Sequence, residues 1–356
     1  MNKVNFSAGP AILPQSVLQQ ASEAIINYAG TGLSLLEVSH RSKEFVATME
    51  RATALVKELM QLNDDHAVLF LSGGASTQFF MAPMNLLNDD EEAGYVNTGS
   101  WARNAIKEAK AFGKVNVLAS SEPENFNFIP KGYEIPDTLK YLHLTSNNTI
   151  FGTQYKEWPT TNVPLVCDMS SDIFSKPIYA SRFDLIYAGA QKNMGPAGVT
   201  LVVVRKSALG TVSRYLPTML NYETHIKNES MYNTPPVYAI YVSMLTMEWI
   251  VQNGGLAGMA ARNEEKGALL YDEIDRNPLF YGHAVPEDRS LMNVCFRLHD
   301  ESWEADFLRL CAQNGLDGLK GHRSVGGFRA SIYNAMEKEG VQRLVETMQQ
   351  FEREKA

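Results

Sequence analysis

The stretch Asp184-Leu185-Ile186-Tyr187-Ala188-Gly189-Ala190-Gln191-Lys192 decides how this chain folds. Its opening apolar run, closed by a glycine turn, is the pattern of a short buried strand. The turn leaves a charged side chain, Lys192, just past the strand end. The next apolar run, Val199-Thr200-Leu201-Val202-Val203-Val204, follows a connection too short for a crossover helix, so it is expected antiparallel to its predecessor. Upstream, Pro164-Leu165-Val166-Cys167-Asp168 reads as another buried strand, with an acid at its C-terminal end. Further back, Ala67-Val68-Leu69-Phe70-Leu71 ends in Ser72-Gly73-Gly74 and passes into a helix-like segment. Strands alternating with helices predict an α/β chain built on a mostly parallel sheet covered on both faces. In such folds the chemistry gathers outside the carboxyl ends of the strands.

Around that centre the periodicity is helical. Leu18, Ala21, Ile25 and Tyr28 recur at helical spacing before Gly30, and Phe45, Met49, Ala52, Leu55, Leu59 and Leu62 mark a stronger helix. Thr234-Pro235-Pro236 is expected to open an apolar helix through Tyr238, Tyr241, Leu245 and Trp249, with Thr as cap and Pro in the first helical position. Beyond Gly254-Gly255 come a charged helix over 262–275, a strand over 293–298 and a helix bearing Val341, Leu344, Val345, Met348 and Phe351. This last hundred residues reads as a smaller α+β domain.

The chain has 356 residues, 45% hydrophobic and 20% charged, with 25 Gly and 15 Pro, which excludes a disordered, collagen-like or coiled-coil protein. A net charge of −8 implies no general polyanion-binding surface, so no nucleic-acid partner is expected. Cys167, Cys295 and Cys311 form no C-x-x-C pair and are odd in number, against both a disulfide framework and a Cys-rich zinc site, and no metal site is expected. The N-terminal residues do not read as a signal peptide. No apolar run approaches the ~20 residues that span a bilayer. A soluble, cytoplasmic protein without a membrane partner is therefore expected. Walker A, G-x-G-x-x-G, H-E-x-x-H and G-x-S-x-G sequences do not occur.

Lys192 is the sharpest chemical signal. A lysine at the carboxyl edge of a sheet can have its pKa lowered by burial and act as a Schiff-base nucleophile. Asp168 ends another strand of the same sheet. Gly73-Gly74-Ala75-Ser76-Thr77 offers a tight turn and a helix N-terminus whose free N–H groups can hold a phosphate, although a plain capped turn has the same composition. Lysine, carboxylate and phosphate cup together are what pyridoxal phosphate requires. Trp101, in Asn97-Thr98-Gly99-Ser100-Trp101, is either a ring that stacks on such a cofactor or a core residue. His40-Arg41 and His322-Arg323, with Arg329 nearby, offer two-pronged partners for carboxylate or phosphate, where ordinary surface charge would look the same.

With these residues in place the chain resembles the phosphoserine aminotransferase family, in the class V group of fold type I pyridoxal-phosphate enzymes. The resemblance runs nearly end to end, through Asn5-Phe6-Ser7-Ala8-Gly9-Pro10, Ser39-His40-Arg41-Ser42, Asp168-Met169-Ser170-Ser171, Gly189-Ala190-Gln191-Lys192-Asn193, Asn233-Thr234-Pro235-Pro236 and Gly321-His322-Arg323-Ser324-Val325-Gly326-Gly327. It implies a large cofactor-binding domain over 16–255 and a small domain made of 1–15 and 256–356. It implies that Lys192 carries the Schiff base and Asp168 pairs with the pyridinium nitrogen. Trp101 would stack on the ring, and Thr149 would bond its hydroxyl side. Ala75, Ser76 and Gln191 would hold the phosphate, joined by Asn233 and Thr234 of a second subunit in a homodimer. Arg41 would bind the amino-acid carboxylate, while His40, His322 and Arg323 would receive the substrate phosphate. Three departures stand out: Asn148 and Phe151 stand where many relatives have Glu and a polar residue, and Ala8 stands where some relatives have Ser.

The implied activity is ping-pong transamination between L-glutamate and 3-phosphohydroxypyruvate in serine biosynthesis, with Lys192 as the acid–base group. The resemblance also opens the four-carbon phosphorylated oxo acid of pyridoxine biosynthesis as a second substrate. The nearest rivals are an alanine–glyoxylate type aminotransferase and a cysteine desulfurase. A desulfurase needs a mobile thiol, and the three cysteines fall in expected strands and a helix.

Overall fold

The computed structural model describes residues 3–356. From the N-terminus, β1 (Val4–Asn5), α1 (Gln15–Ile26) and α2 (Lys43–Met60) precede β2 (His66–Leu71), α3 (Gly74–Leu86), β3 (Glu92–Asn97), α4 (Ser100–Ala109) and β4 (Lys114–Ser120). Then follow β5 (Leu142–Thr145), β6 (Leu165–Asp168), β7 (Phe183–Gly189), β8 (Thr200–Arg205), α5 (Tyr222–Lys227) and α6 (Val237–Gln252). The C-terminal part holds α7 (Gly255–Arg276), β9 (Phe280–Gly282), β10 (Asn293–Leu298), α8 (Glu304–Gln313), β11 (Leu316–Asp317), β12 (Phe328–Ser331) and α9 (Lys338–Lys355).

Seven strands form the central sheet in the order β2-β8-β7-β6-β5-β3-β4. As expected from the short connection, β8 runs antiparallel to β7, and it also runs antiparallel to β2. The remaining pairs are parallel. The pleat sends alternate residues to opposite faces. On β8, Leu201 and Val203 enter the core shared with α1, α2 and α6, while Val202 and Val204 enter the core shared with α3 and α4. On β6, Leu165 and Cys167 take the first face and Val166 the second. Period two then carries Asp168 onto the α3 side, at the carboxyl end of its strand. Because β2, β3, β5, β6 and β7 point the same way, Gly73, Asn97, Thr145, Asp168 and Gly189 all finish at one edge.

A second cluster gathers Phe6, Leu270, Phe280, Phe296, Phe307, Phe328 and Phe351 around the antiparallel sheet β12-β10-β9. The chain start joins it through the parallel pairing of β1 with β11. Helix α7 bridges the cores: Leu256 and Met259 belong to the first, Leu270 and Ile274 to the second. Buried amides fasten the two parts. Asn147 Nδ2 donates to Asn293 Oδ1 (2.8 Å), and Asn193 Oδ1 accepts from Asn334 N (2.9 Å). The fully buried Lys266 donates from Nζ to the carbonyls of Ile332, Tyr333 and Met336. Such satisfied networks fix one relative arrangement, because breaking any member strands a desolvated partner.

Two local expectations need correction. Helix α1 buries Val17, Ala21 and Ala24, while Leu18 and Ile25 are 44% and 37% exposed. The apolar stripe is wide enough to roll, and α6 takes only one side of it. Helix α6 starts at Val237, with Pro236 in the flanking position and no side-chain cap from Thr234. Two consecutive prolines push the residue before each out of the helical region, so the helix cannot begin earlier. Among the described residues, no helix is long and apolar enough to cross a membrane.

Candidate active site

The turn after β7 is tight. Ala190 O accepts from Met194 N (3.2 Å) and Gly195 N (2.8 Å), which holds Lys192 at the sheet edge. Its Nζ donates to Thr149 Oγ1 at 2.7 Å and lies 5.8 Å from the ring centroid of Trp101. Burial pushes the Lys192 amine down to about 8, opposed by the Asp168 carboxylate and reinforced by the Arg329 guanidinium. An amine so placed is partly neutral near neutral pH, as a nucleophile must be.

Asp168 is only 5% exposed. Its Oδ1 accepts from Ser170 N (2.9 Å) and Ser170 Oγ (2.6 Å), while Oδ2 has no hydrogen-bond partner among the described residues. Burial raises its pKa, and the Ser170 bonds and Lys192 oppose that rise. A carboxylate with one oxygen anchored and one free suits a cationic N–H ligand.

The glycine turn behaves as a cradle. Gly73 and Gly74 have φ of 103° and 71°, a region that disfavours side chains, and a Cβ on Gly73 would collide with Thr77. Thr77 Oγ1 donates to Gly73 O (2.8 Å), and the 13-residue α3 opens there with its first-turn N–H groups free. Ala75 is half-buried and Ser76 exposed at that opening, and Gln191 is half-buried beside Lys192. Trp101 occupies the first turn of α4, its buried Nε1 without a partner, as is the hydroxyl of Thr98. An amine, a carboxylate, an indole face, a helix N-terminus and unpartnered polar atoms on one edge fit a phosphorylated pyridine aldehyde. A cleft of about 600 Å³ lined by Tyr133, Tyr155, Trp158 and Lys156 shares no residue with this group.

Several neighbours lay outside the sequence reading. Arg329 was noted there without a role, yet its Nη1 donates to Thr149 O (3.4 Å) and its Nε is buried without a partner. Asp172, four residues past Asp168 in the turn that follows β6, is a second buried carboxylate, held by Ser146 Oγ and Gln154 Nε2 (3.1 Å). The chain start crosses Lys192: Ala11 N donates to Gln191 O (2.9 Å), and a Cβ on Gly9 would lie 3.4 Å from Lys192 Cγ. Ala8 contributes through its carbonyl, which accepts from Tyr333 Oη at 2.7 Å. Asn148 makes no hydrogen bond to Lys192 among the described residues; its Nδ2 donates to Thr153 Oγ1 (3.0 Å).

The basic pairs divide. His322 is half-buried, its pKa lowered by burial and then by Arg329 and Arg323, and it lines a small pocket together with Arg329 and Ile150, while Arg323 is exposed. His40 and Arg41 precede α2, which Ser42 caps, and Arg41 is exposed. Among the described residues, no hydrogen bond links either side chain to the Lys192 group. Asn233 and Thr234 are likewise exposed, ahead of α6. Cys167, Cys295 and Cys311 are all buried and unpaired, so none is a mobile thiol.

A sheet edge with this constellation defines an aminotransferase of class V, and the chain belongs to that family: the family model, Aminotransferase class-V, matches residues 3–344. Within it the similarity is to phosphoserine aminotransferases. That of Flavobacterium johnsoniae is 57% identical over 353 residues, with 99% of each chain covered. That of Parabacteroides distasonis is 56% identical, covering 99% of this chain and 100% of its own. The solved phosphoserine aminotransferase from Bacillus circulans subsp. alkalophilus superposes with a TM-score of 0.97 at 47% identity, covering 100% of this chain and 99% of that one. An alanine–glyoxylate aminotransferase from Nostoc, at 17% identity and a TM-score of 0.76, shares the fold.

Proposed function

We propose that the chain catalyses reversible transamination between L-glutamate and 3-phosphohydroxypyruvate, giving O-phospho-L-serine and 2-oxoglutarate. The observation that carries this reading is the grouping of Lys192 Nζ, Thr149, Asp168 and Arg329 at one sheet edge. Pyridoxal phosphate, when bound, supplies an aldehyde to carry the amino group and an electron-poor ring to hold charge released from the α-carbon. Lys192 takes the α-proton from glutamate and returns a proton in the second half-reaction. Asp168 holds the proton on the ring nitrogen, Trp101 covers the ring face, and Thr149 holds the ring oxygen. Ala75, Ser76 and Gln191 hold the phosphate at the α3 N-terminus.

Both amino donors and both oxo acids carry an α-carboxylate and a distal anion. Arg329, beside Thr149 and Lys192, receives the α-carboxylate by a two-pronged bond. With Arg329 at the α-carboxylate, the carboxylate left to Arg41, expected from the resemblance to bind the amino-acid carboxylate, is the distal one of glutamate, and His40, His322 and Arg323 receive the distal phosphate. An alanine–glyoxylate chemistry has no use for such a second anion site. With glutamate added, the absorbance of the bound cofactor will bleach, and 3-phosphohydroxypyruvate will restore it while pyruvate will not. Equal recovery with pyruvate would remove the phosphate site from this account.

A homodimer completes the site, with Asn233 and Thr234 reaching the neighbouring subunit's cofactor phosphate. Support comes from their exposure and from the bare apolar surface of Leu18, Ile26, Leu33, Leu36 and Tyr232. Sedimentation at micromolar concentration will return twice the mass of the chain. Thr234→Lys will weaken cofactor retention, and a tight monomer that binds cofactor normally would contradict the shared site. A cytoplasmic setting suits the three buried thiols.

A further inference from the structure

We propose that Val325 is the latch that positions His322 and Arg323, and that its seat on Phe126, Ile150 and Phe151 sets the preference for the phosphorylated oxo acid. This rests on the reading of His322 and Arg323 as phosphate ligands. The loop that carries them is bonded mainly to itself. Gly321 N donates to Gly327 O (2.8 Å) at its neck, Val325 N and Gly326 N both donate to His322 O (2.9 Å), and the His322 ring bonds Ser324 Oγ (2.7 Å). Among the described residues, no hydrogen bond from 322–326 reaches another part of the chain.

Val325 makes the connection instead. It packs on a small cluster, separate from the main cores, of Phe126, Ile150 and Phe151, which Trp101 also joins. The rings of Phe126 and Phe151 lie 4.7 Å apart, and the Arg103 guanidinium sits 5.6 Å over Phe126. Phe126 adopts φ 57°, a left-handed conformation that costs a non-glycine residue energy, and it does so while its ring is buried in this cluster. Ile150 directly follows Thr149, the hydrogen-bond partner of Lys192. A continuous line of contact therefore runs from the basic loop through Val325 to Thr149 and Trp101. Phe151 has its place in this line.

Val325→Ala removes two methyl groups from that seat, and the KM for 3-phosphohydroxypyruvate is expected to rise about tenfold. The kcat and the KM for glutamate will stay within twofold, because glutamate's distal carboxylate goes to Arg41. Phe151→Ser will act in the same direction, and Val325→Ile will restore the wild-type KM. Inorganic phosphate, used as a competitive probe, will lose affinity in parallel. Arg323→Ala is measured alongside. A normal Val325→Ala beside an impaired Arg323→Ala overturns the latch alone. Unchanged binding in Arg323→Ala overturns the phosphate assignment, and the latch with it. Equal losses for both substrates in Val325→Ala make the cluster merely structural and also overturn the proposal.

Discussion

Replacing Lys192 by alanine will abolish turnover, by at least about 10⁴-fold, with the fold intact. In the proposed mechanism the side chain is both the attachment point for the aldehyde and the group that moves the α-proton, so no neighbour can replace it. Its loss costs the fold little, because the amine makes one hydrogen bond, to Thr149 Oγ1, and is desolvated in making it. Far-UV circular dichroism should be unchanged and the cofactor's visible absorbance lost. A variant that retained near-normal rates would remove Lys192 from the mechanism. The unsubstituted chain, stripped of cofactor, gives a second reading of the same residue. Below its pKa the amine is protonated and cannot attack, so capture of pyridoxal phosphate will accelerate with pH and level off above about 8. An ordinary lysine would level off only above about 10.4. A midpoint near that value would mean that Asp168 fully offsets the burial.

Asp168→Asn is the second large effect. The amide keeps the size of the side chain and can still accept both Ser170 bonds through Oδ1, so folding should survive. Indeed burial already disfavours the charged form at this position. What disappears is the negative charge that, in the proposed mechanism, holds a proton on the ring nitrogen. Removing one member of a buried charge pair costs about 2–5 kcal/mol, and kcat should fall by about 10²–10³. The same substitution will have the opposite effect on cofactor capture. Asp168 is the carboxylate that raises the Lys192 pKa, so without it that pKa falls below 8 and attack at neutral pH becomes faster. Slower chemistry with faster capture separates an electrostatic role from simple misfolding, which would slow both. If kcat holds, the ring nitrogen is served by another group.

The legible part of this site lay where local pattern and function coincide. Lys192 and Asp168 could be read because strand periodicity locates carboxyl ends, and both stand at such ends. Gly73-Gly74 could be read as a turn, since the positive φ it needs is a property of glycine itself. Asp172 escaped because it follows a strand end by four residues, in a loop with no period to place it. Arg329 sat in an expected basic cluster, but its selection over Arg323 as the neighbour of Thr149 depends on a contact across 180 residues of sequence. The misread face of α1 has a similar origin: an apolar stripe states that a helix is buried, and the partner decides which side.

By itself, then, the sequence determined four strands of the central sheet (β2, β6, β7 and β8), the principal helices, the antiparallel turn of β8 and the sheet edge at which chemistry would gather. Those follow from hydrophobic period, connection length and the backbone restrictions of glycine and proline, which act over a few residues. Only the tertiary structure decided which Lys192 neighbours are real: Arg329 and Thr149 brought together, Gly9 laid over Lys192, Val325 seated on Phe151. Those contacts join segments far apart in the chain, and they exist because two cores are fastened by buried amides such as Asn147 and Asn293. The pKa of Lys192 belongs with them. A lysine carries no depressed pKa in its own sequence; it acquires one when packing removes water and leaves a carboxylate and a guanidinium at fixed places around it.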